Sequence, residues 1–97
     1  MTLIVLFDLR LKAEAVEAAP AMLREILTET RAFEGCLGVD VLIDSKDPAH
    51  MILFERWASA EADAAYRAWR AGAGATDLGS LLESAPQLSQ FEAAREI

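Results

Sequence analysis

Apolar and polar residues along the first third of the chain predict a strand followed by a helix. Residues 2–11, TLIVLFDLRL, are rich in β-branched and aromatic side chains and too short for a typical long helix, so they predict the first strand. Between residues 14 and 32, apolar positions recur at helical spacing. Pro20 lacks an amide donor and clashes with the preceding turn, so it predicts either a kink or a helix that begins later than this pattern.

The next part of the chain predicts a β-hairpin. From Leu37 to Asp44 apolar residues alternate with mostly polar ones, which is typical of an edge strand. The sequence SKDP at residues 45–48 has turn-forming chemistry, and residues 51–58 form the next apolar strand. His50 is therefore expected in the turn, exposed to solvent.

A second helix and a short final strand complete the predicted order. Ser59 can cap a helix that carries acidic residues in its first turn and arginines in its last, as the helix dipole favours. Residues 71–80 form a glycine-spaced loop, and the alternation after Pro86 predicts a fourth strand. The order β-α-β-β-α-β predicts an α+β, ferredoxin-like fold, in which a four-stranded antiparallel sheet with central strands one and three carries both helices on one face.

The first and third strands carry apolar side chains on both of their faces. In the first strand, Val5 and Phe7 lie on one face, and Ile4 and Leu6 lie on the other. Two helices can cover only one face of the sheet, and an antiparallel face that meets water is normally polar. We therefore predict a homodimer in which two sheets pack face to face.

Length and charge limit the range of functions. The 97 residues predict a single domain, residues 1–97, with one small core. A formal net charge of −7 without a basic cluster would repel a phosphate backbone, so nucleic acid is not expected as a partner. The apolar run from Leu3 to Phe7 is too short for a membrane span or a signal peptide, so no membrane association is expected.

The use of cysteine and histidine bears on compartment and metal chemistry. The single cysteine, Cys36, excludes an internal disulfide and is expected as a small buried side chain. Its presence as a free thiol fits a reducing compartment, and we interpret the protein as cytoplasmic. One histidine and one cysteine are too few soft ligands for a zinc or iron–sulfur site, so no metal site is predicted.

Several motifs in register resemble one known family. The segments FEGCL, DP, FERW and SAEA, followed by the helical Tyr66, together resemble the antibiotic biosynthesis monooxygenase family, with residues 31–66 at the centre of the match. This resemblance covers nearly the whole chain and implies a dimeric α+β barrel. The wider superfamily includes oxygenases that use no metal or flavin, haem-degrading enzymes, isomerases and proteins of unknown role, so fold alone does not choose the activity.

The resemblance also bears on haem. A haem-degrading member would carry a helical histidine as iron ligand and an asparagine on the first strand. This chain has Tyr66 near the first position and Phe7 or Asp8 near the second. Haem chemistry is therefore disfavoured, and no cofactor is expected.

Two aromatic residues with polar tips are the main candidates for chemistry. Trp57 corresponds to the family's tryptophan at the end of the third strand, where an indole N–H can bond a substrate oxygen. A tryptophan of the core is the alternative. Tyr66 stands where many relatives carry a histidine, and its phenol can donate to an oxyanion, although an ordinary pKa of about 10 makes it a poor base at neutral pH.

Two carboxylates are candidate bases. Glu55 shares the face of Trp57 on the third strand, so it would point into the same cavity unless a helix arginine takes it in a salt bridge. Asp8 is the second candidate, and an ion pair with Arg10 at the rim of the sheet is its alternative. The predicted substrate-binding walls are Trp69, Phe7 and Leu53, with a core position as the alternative for Trp69.

These features lead to one principal hypothesis and two alternatives. The principal one is cofactor-independent oxidation of a small electron-rich phenol, quinol or polyketide-like aromatic, in which a pocket group removes a proton and the anion reduces dioxygen. The second is a non-catalytic dimeric module that binds such a molecule. The third is isomerase or lyase action on a small metabolite in the same pocket.

Overall fold

A computed structural model, which describes residues 2–97, contains one four-stranded antiparallel sheet with two helices on one of its faces. The strands are β1 (Leu3–Arg10), β2 (Cys36–Asp44), β3 (Asp47–Trp57) and β4 (Gln87–Glu92), and the helices are α1 (Ala19–Ala32) and α2 (Ala60–Arg70). The sheet order is β2-β3-β1-β4, so β1 and β3 are central and β2 is an edge. The predicted α+β, ferredoxin-like fold is confirmed.

Helix α1 begins later than its apolar pattern. Residues Ala13–Ala15 form a separate 3-10 turn, and α1 starts at Ala19 with Pro20 in its first turn. The missing amide of a proline costs nothing there, because the first turn of a helix has no acceptor for it. Of the two outcomes predicted for Pro20, the later start is the one observed.

The hairpin is tighter than predicted. β3 begins at Asp47 rather than at residue 51, so the predicted four-residue turn is wrong. The Asp44 and Asp47 carboxylates accept hydrogen bonds from the amides of Lys46 and Ala49 at 2.9 and 3.0 Å, and these bonds hold the short connection. Because β1 is long enough to pair with this extension, His50 lies within β3 opposite Arg10 and not in a solvated turn.

Helix α2 and strand β4 follow the predicted pattern. The hydroxyl of Ser59 accepts a hydrogen bond from the amide of Ala62 at 3.1 Å, which caps α2. β4 pairs antiparallel with β1, with Leu3 opposite Glu92 and Asp8 opposite Gln87. Within residues 2–97, neither helix is long and apolar enough to cross a membrane.

The helices and the sheet enclose two neighbouring groups of buried side chains. Under α1 the larger group includes Leu9, Leu23, Leu27, Met51 and Leu53. Under α2 the smaller group consists of Leu3, Val5, Trp57 and Tyr66. The strand residues of both groups lie on the same side of the sheet, which we call the inner face. Cys36 is half-buried at the edge of both groups.

The opposite side of the sheet, which we call the outer face, has no covering layer among residues 2–97. Its central apolar residues Ile4, Leu6, Ile52 and Phe54 are only half-buried. At its margins Leu42 and Phe91 are 47% and 52% exposed. The predicted second apolar face is therefore present.

A glycine in the connection before β2 allows α2 to lie close to the sheet. Gly35 has a φ of +90°, and a Cβ at this position would overlap the Cβ of Ala62 in α2. We predict that Gly35→Ala lowers the free energy of unfolding by about 2–4 kcal/mol, because backbone strain and overpacking add. Urea unfolding of wild type and variant measures this loss, and equal m-values would show that the change lies in stability.

Gly79→Ala is the matched control for that substitution. A Cβ at Gly79 would have no heavy atom within 4 Å, so the change is expected to stay within about 0.5 kcal/mol. Equal stability of the two variants would show that Gly35 is not required for the approach of α2.

Candidate functional site

A cavity of about 170 Å³ lies between the inner face, the two helices and the loop that follows α2. Its apolar walls are Phe7, Ile26, Leu27, Leu53 and Leu78. Its polar lining is Glu55, Tyr66, Arg67, Arg70 and Thr76. The predicted wall residues Phe7 and Leu53 are therefore in place, and the inner face is the one that lines the cavity.

Glu55 is a carboxylate at the wall of this cavity and is only 2% exposed. Its Oε1 atom accepts hydrogen bonds from Trp57 Nε1 at 2.9 Å and from Arg67 Nη2. No donor among residues 2–97 bonds Oε2. Since every enclosed side-chain nitrogen or oxygen of these residues has a partner, Oε2 is not fully enclosed, and Glu55 is one of the residues that line the cavity.

Arg67 connects Glu55 to a second buried carboxylate. Its Nε donates to Asp63 Oδ1 at 3.0 Å, and Asp63 Oδ2 accepts from Gln90 Nε2 of β4 at 2.6 Å. The guanidinium lies over the rings of Phe7 and Tyr66, at 5.5 and 4.9 Å from their centroids. The sequence predicted that Glu55 either points into the cavity or forms a salt bridge with a helix arginine. In the structure Glu55 forms the salt bridge with Arg67 and also lines the cavity.

The phenol of Tyr66 already has partners within the protein. Tyr66 is 4% exposed, and its hydroxyl is 2.7 Å from Thr30 Oγ1 and accepts from Arg70 Nε at 2.8 Å. Arg70 also donates to the carbonyl oxygen of Ile26 at 2.8 Å, so this network ties α2 to α1. The Tyr66 hydroxyl therefore holds the two helices together at the cavity wall.

Trp57 and Tyr66 do meet, as the sequence predicted, with ring centroids 4.8 Å apart. Trp57 is fully buried, however, and does not line the cavity. Its N–H is directed at Glu55, two residues earlier on the same strand face. The structure thus places Trp57 where it orients the carboxylate, in place of the direct substrate contact that the sequence suggested.

Phe33 and Trp69 complete an aromatic cluster around this pair. The Phe33 ring lies 5.3 Å from Tyr66 and 5.4 Å from Trp69 between centroids. Trp69 packs against Gly74, where a Cβ would overlap the indole, and it does not line the cavity. Of the two roles predicted for Trp69, core or pocket wall, these contacts match the core role.

Asp8 is not a cavity residue. It lies on the outer face because β1 residues alternate in direction, and its Oδ1 is 3.0 Å from His50 Nε2. The expected ion pair between Asp8 and Arg10 is wrong, since Arg10 lies 3.7 Å from the Asp47 carboxylate. The partner of the Asp8 carboxylate is instead His50 on the neighbouring strand.

His50 bridges two carboxylates on this face. Its Nδ1 lies 2.9 Å from Asp44 Oδ2, and the hydrogen bonds to Asp44 and then to Asp8 raise the pKa of His50 above its usual 6.5. The hydrogen bonds from His50 and from the Lys46 amide lower the pKa of Asp44 below its usual 3.8. In the part of the chain that the structure describes, no group of three or more histidine, cysteine, aspartate or glutamate residues is arranged to hold a metal ion.

Cavity residues that the sequence did not single out come mainly from helices and loop. In the sequence, Ile26 and Leu27 are part of the apolar pattern that predicts α1. Arg70 is one of the arginines in the last turn of α2, and this position predicts only an interaction with the helix dipole. The spacing of Tyr66 and Arg70, four residues apart on one helix face, is the signal that pairs them. Thr76 and Leu78 belong to the glycine-spaced loop and have no comparable periodic signal.

Comparison with protein families gives a match over most of the chain. The family model described as antibiotic biosynthesis monooxygenase matches residues 2–78. The chain belongs to the antibiotic biosynthesis monooxygenase family. All of the cavity-lining residues fall within this matched region. A search of curated proteins found no significant match.

Several solved structures share the fold of this chain. A structure described as a putative antibiotic biosynthesis monooxygenase from Deinococcus radiodurans is 26% identical with a TM-score of 0.81, and the alignment covers 98% of this chain and 95% of that one. A protein from Mycobacterium tuberculosis is 24% identical with a TM-score of 0.77, covering 99% and 98%. Another structure described as an antibiotic biosynthesis monooxygenase is 23% identical with a TM-score of 0.78, covering 95% and 98%. These similarities show that the fold of this chain, including all four strands, is shared with solved structures.

The His50 bridge predicts a pH-dependent contribution to stability. The raised pKa of His50 means that its contribution is complete below pH 6.5 and is lost as pH rises through the folded-state value. The lowered pKa of Asp44 means that its contribution is complete above pH 3.8 and is lost as pH falls through the folded-state value. His50→Gln should therefore destabilise most between pH 3.8 and 6.5, and progressively less toward alkaline pH.

Urea unfolding of both proteins across this range measures the difference. Ser89→Ala, also on the outer face, is the control and should give no pH-dependent difference from wild type. A His50→Gln effect that stays constant from about pH 5 to pH 9 would contradict a protonated bridge.

Proposed function

We propose that this protein is a cofactor-independent monooxygenase that oxidises a small electron-rich phenol or quinol in the cavity between sheet and helices. The observation that carries the proposal is Glu55, a buried carboxylate at the cavity wall with one oxygen fixed by Trp57 and Arg67 and the other without a hydrogen bond within residues 2–97. A general base must lie within hydrogen-bonding reach of the proton that it removes, and Oε2 meets this condition for a ligand hydroxyl in the cavity. Family membership supports oxygen chemistry.

The proposed reaction begins with proton transfer from the substrate hydroxyl to Glu55 Oε2. The guanidinium of Arg67 then stabilises the phenolate, because it borders the same cavity and carries a permanent charge. The electron-rich anion reduces dioxygen. For a phenol that forms a quinone, one oxygen atom becomes the new carbonyl, the other leaves as water, and the substrate supplies all four electrons.

Trp57 and Tyr66 act as positioning residues in this proposal. Trp57 holds Oε1 so that Oε2 faces the cavity, and Tyr66 fixes Arg70 and the two helices around it. A carboxylate held by two donors loses little orientation freedom when a ligand arrives, which favours catalysis through preorganisation.

The size of the cavity favours a single aromatic ring over a polyketide-like substrate. A dry cavity of about 150 Å³ holds a benzene-sized molecule, whereas pockets for drug-sized ligands measure about 300–1,000 Å³. The cavity here measures about 170 Å³.

A non-catalytic binding module is the second candidate. The observation in its favour is that the N–H of Trp57 and the hydroxyl of Tyr66, the two groups expected to act on a substrate, both bond protein partners. An isomerase or lyase would use Glu55 in the same position without oxygen. Activity that persists under anaerobic conditions would identify that third function.

We further propose that two copies associate through their outer faces and act in the cytoplasm. The half-buried apolar residues on the outer face support association, because a surface of this kind on an antiparallel sheet normally has a partner. The free thiol of Cys36 supports a reducing compartment.

Oxygen uptake with a panel of single-ring phenols and hydroquinones tests the proposed reaction. We expect Glu55→Gln to lower the rate by about 10²–10⁴, because the amide keeps the shape of the carboxylate but accepts no proton. Trp57→Phe should lower the rate by about tenfold, since it releases one of the two groups that orient Glu55. Tyr66→Phe should have a smaller effect than Glu55→Gln.

Glu61→Gln on the exposed side of α2 is the matched control and should leave the rate unchanged. Ligand-induced thermal shift of each variant separates lost binding from lost chemistry. Equal rates for wild type and Glu55→Gln would remove Glu55 from the mechanism, and binding without oxygen uptake by wild type would favour the binding module.

The proposed dimer is tested by light scattering at micromolar concentration. Wild type should have the mass of a dimer, and Phe54→Glu on the outer face should have the mass of a monomer, because it places a charge in the apolar contact. Ile43→Glu is the control, since Ile43 is 58% exposed on the inner side of the edge strand. A monomeric wild type would contradict the proposal.

A further inference from the structure

We infer that the ligand of this cavity is catechol-like: an uncharged single aromatic ring with two oxygens on neighbouring carbons, at least one of them a hydroxyl. The inference rests on the proposed function in its use of Glu55 and Arg67, and it adds the chemical class of the ligand. It follows from three features: the polar atoms of Glu55 and Arg67 that have no protein partner, the hydrogen bonds that hold these two side chains in place, and the negative charge of the groove beside the cavity.

Glu55 and Arg67, which both line the cavity, leave one acceptor and one donor without a protein partner within residues 2–97. Glu55 Oε2 accepts no hydrogen bond within residues 2–97, and in the same part of the chain Arg67 uses only Nε and Nη2, which leaves Nη1 without a protein acceptor. The two side chains are joined through Oε1 and Nη2, so the open acceptor and the open donor belong to one connected pair. A ligand that satisfies both needs a hydroxyl for Glu55 and an adjacent oxygen for Arg67.

The pair is held in place from both ends. Trp57 fixes Glu55, while Asp63 and Gln90 fix Arg67, and both Glu55 and Asp63 are almost completely buried. Neither side chain can swing to meet separated oxygens without breaking buried hydrogen bonds, which is costly. Because the pair is joined through Oε1 and Nη2 and held at both ends, we infer that its unbonded acceptor and donor face neighbouring oxygens of a ligand, which favours oxygens on neighbouring ring carbons over oxygens across a ring.

The surroundings of the pair suit an aromatic ring. Phe7 and Leu53 form apolar walls beside Glu55, and the cavity of about 170 Å³ has the size for one ring. The Arg67 guanidinium lies over the rings of Phe7 and Tyr66, and cation–π interactions with these rings stabilise its position at the cavity wall.

The approach to the cavity favours an uncharged ligand. A surface groove of about 550 Å³ shares Ile26 and Thr76 with the cavity, so it lies directly outside. Its charged side chains are Glu25, Glu29 and Asp77, of which Glu29 pairs with Arg70. With a net charge of −7 on the whole chain, this groove repels anions, so a neutral catechol is favoured over a catechol carboxylate.

Anaerobic calorimetry with defined probes tests the inference without turnover. The probes are catechol, 2-methoxyphenol, hydroquinone, phenol and 3,4-dihydroxybenzoate. We expect catechol to bind at least about tenfold more tightly than phenol or hydroquinone, because one additional hydrogen bond to a charged group has that value. 2-Methoxyphenol retains one hydroxyl and an adjacent acceptor and should lie between phenol and catechol. The charged benzoate should bind more weakly than catechol.

Two sets of variants assign the effect to named residues. Arg67→Lys should reduce the preference for catechol over phenol to less than about threefold, whereas Arg24→Lys, on the exposed side of α1, should retain it. The double variant Glu25→Gln with Asp77→Asn should raise the affinity for 3,4-dihydroxybenzoate and leave that for catechol unchanged. If Arg67→Lys does not fold, the wild-type probe series alone decides the inference.

The outcomes separate this inference from the proposed function. Equal affinities for catechol, hydroquinone and phenol, or no binding of any of them, would overturn the inference. Oxygen uptake with phenol or hydroquinone and no preference for catechol would also overturn it while the proposed oxygenase stands. Preferential catechol binding without oxygen uptake would support the ligand class and contradict the oxygenase.

Discussion

The buried carboxylate of Glu55 is the group on which the organisation of the site depends. Removing a charge from water is costly, so Glu55 can occupy the inner face only with donors that compensate it. Trp57 supplies one donor from the same strand, and Arg67 supplies another from α2. The position of α2 on the sheet is therefore fixed by a charge as well as by apolar packing, and the same charge faces the cavity.

The rest of the structure supports this arrangement from two directions. On one side, the Tyr66 hydroxyl and Arg70 join α2 to α1, and the aromatic cluster fills the space beneath them. On the other side, Asp63 links Arg67 to Gln90, so strand β4 contributes to the orientation of the cavity cation although it does not line the cavity. Polar contacts thus define the site within a fold whose core is apolar.

Much of the fold followed from the sequence because strand periodicity and helix caps are local signals. Alternation identified the edge strand and the central strands, and Ser59 marked the start of α2. The beginning of β3 was misplaced because pairing with β2, which reaches Asp47, and with β1, which reaches His50, outweighs the turn chemistry of residues 45–48. For the same reason His50 was expected in solvent and Asp8 was assigned the wrong partner.

The site was only partly predictable for a different reason. The two-residue period placed Glu55 and Trp57 on one face, but it gave no sign that Trp57 would bond Glu55 in place of a substrate. Whether Arg67 or Arg70 reaches Glu55 depends on the rotation of α2 against the sheet, which is a tertiary property.

The most direct test of the site is a crystal structure determined anaerobically with catechol. We predict one catechol oxygen within hydrogen-bonding distance of Glu55 Oε2 and the other within that distance of Arg67. A ligand bound elsewhere, or an empty cavity in which both Glu55 oxygens pair with Arg67, would contradict this.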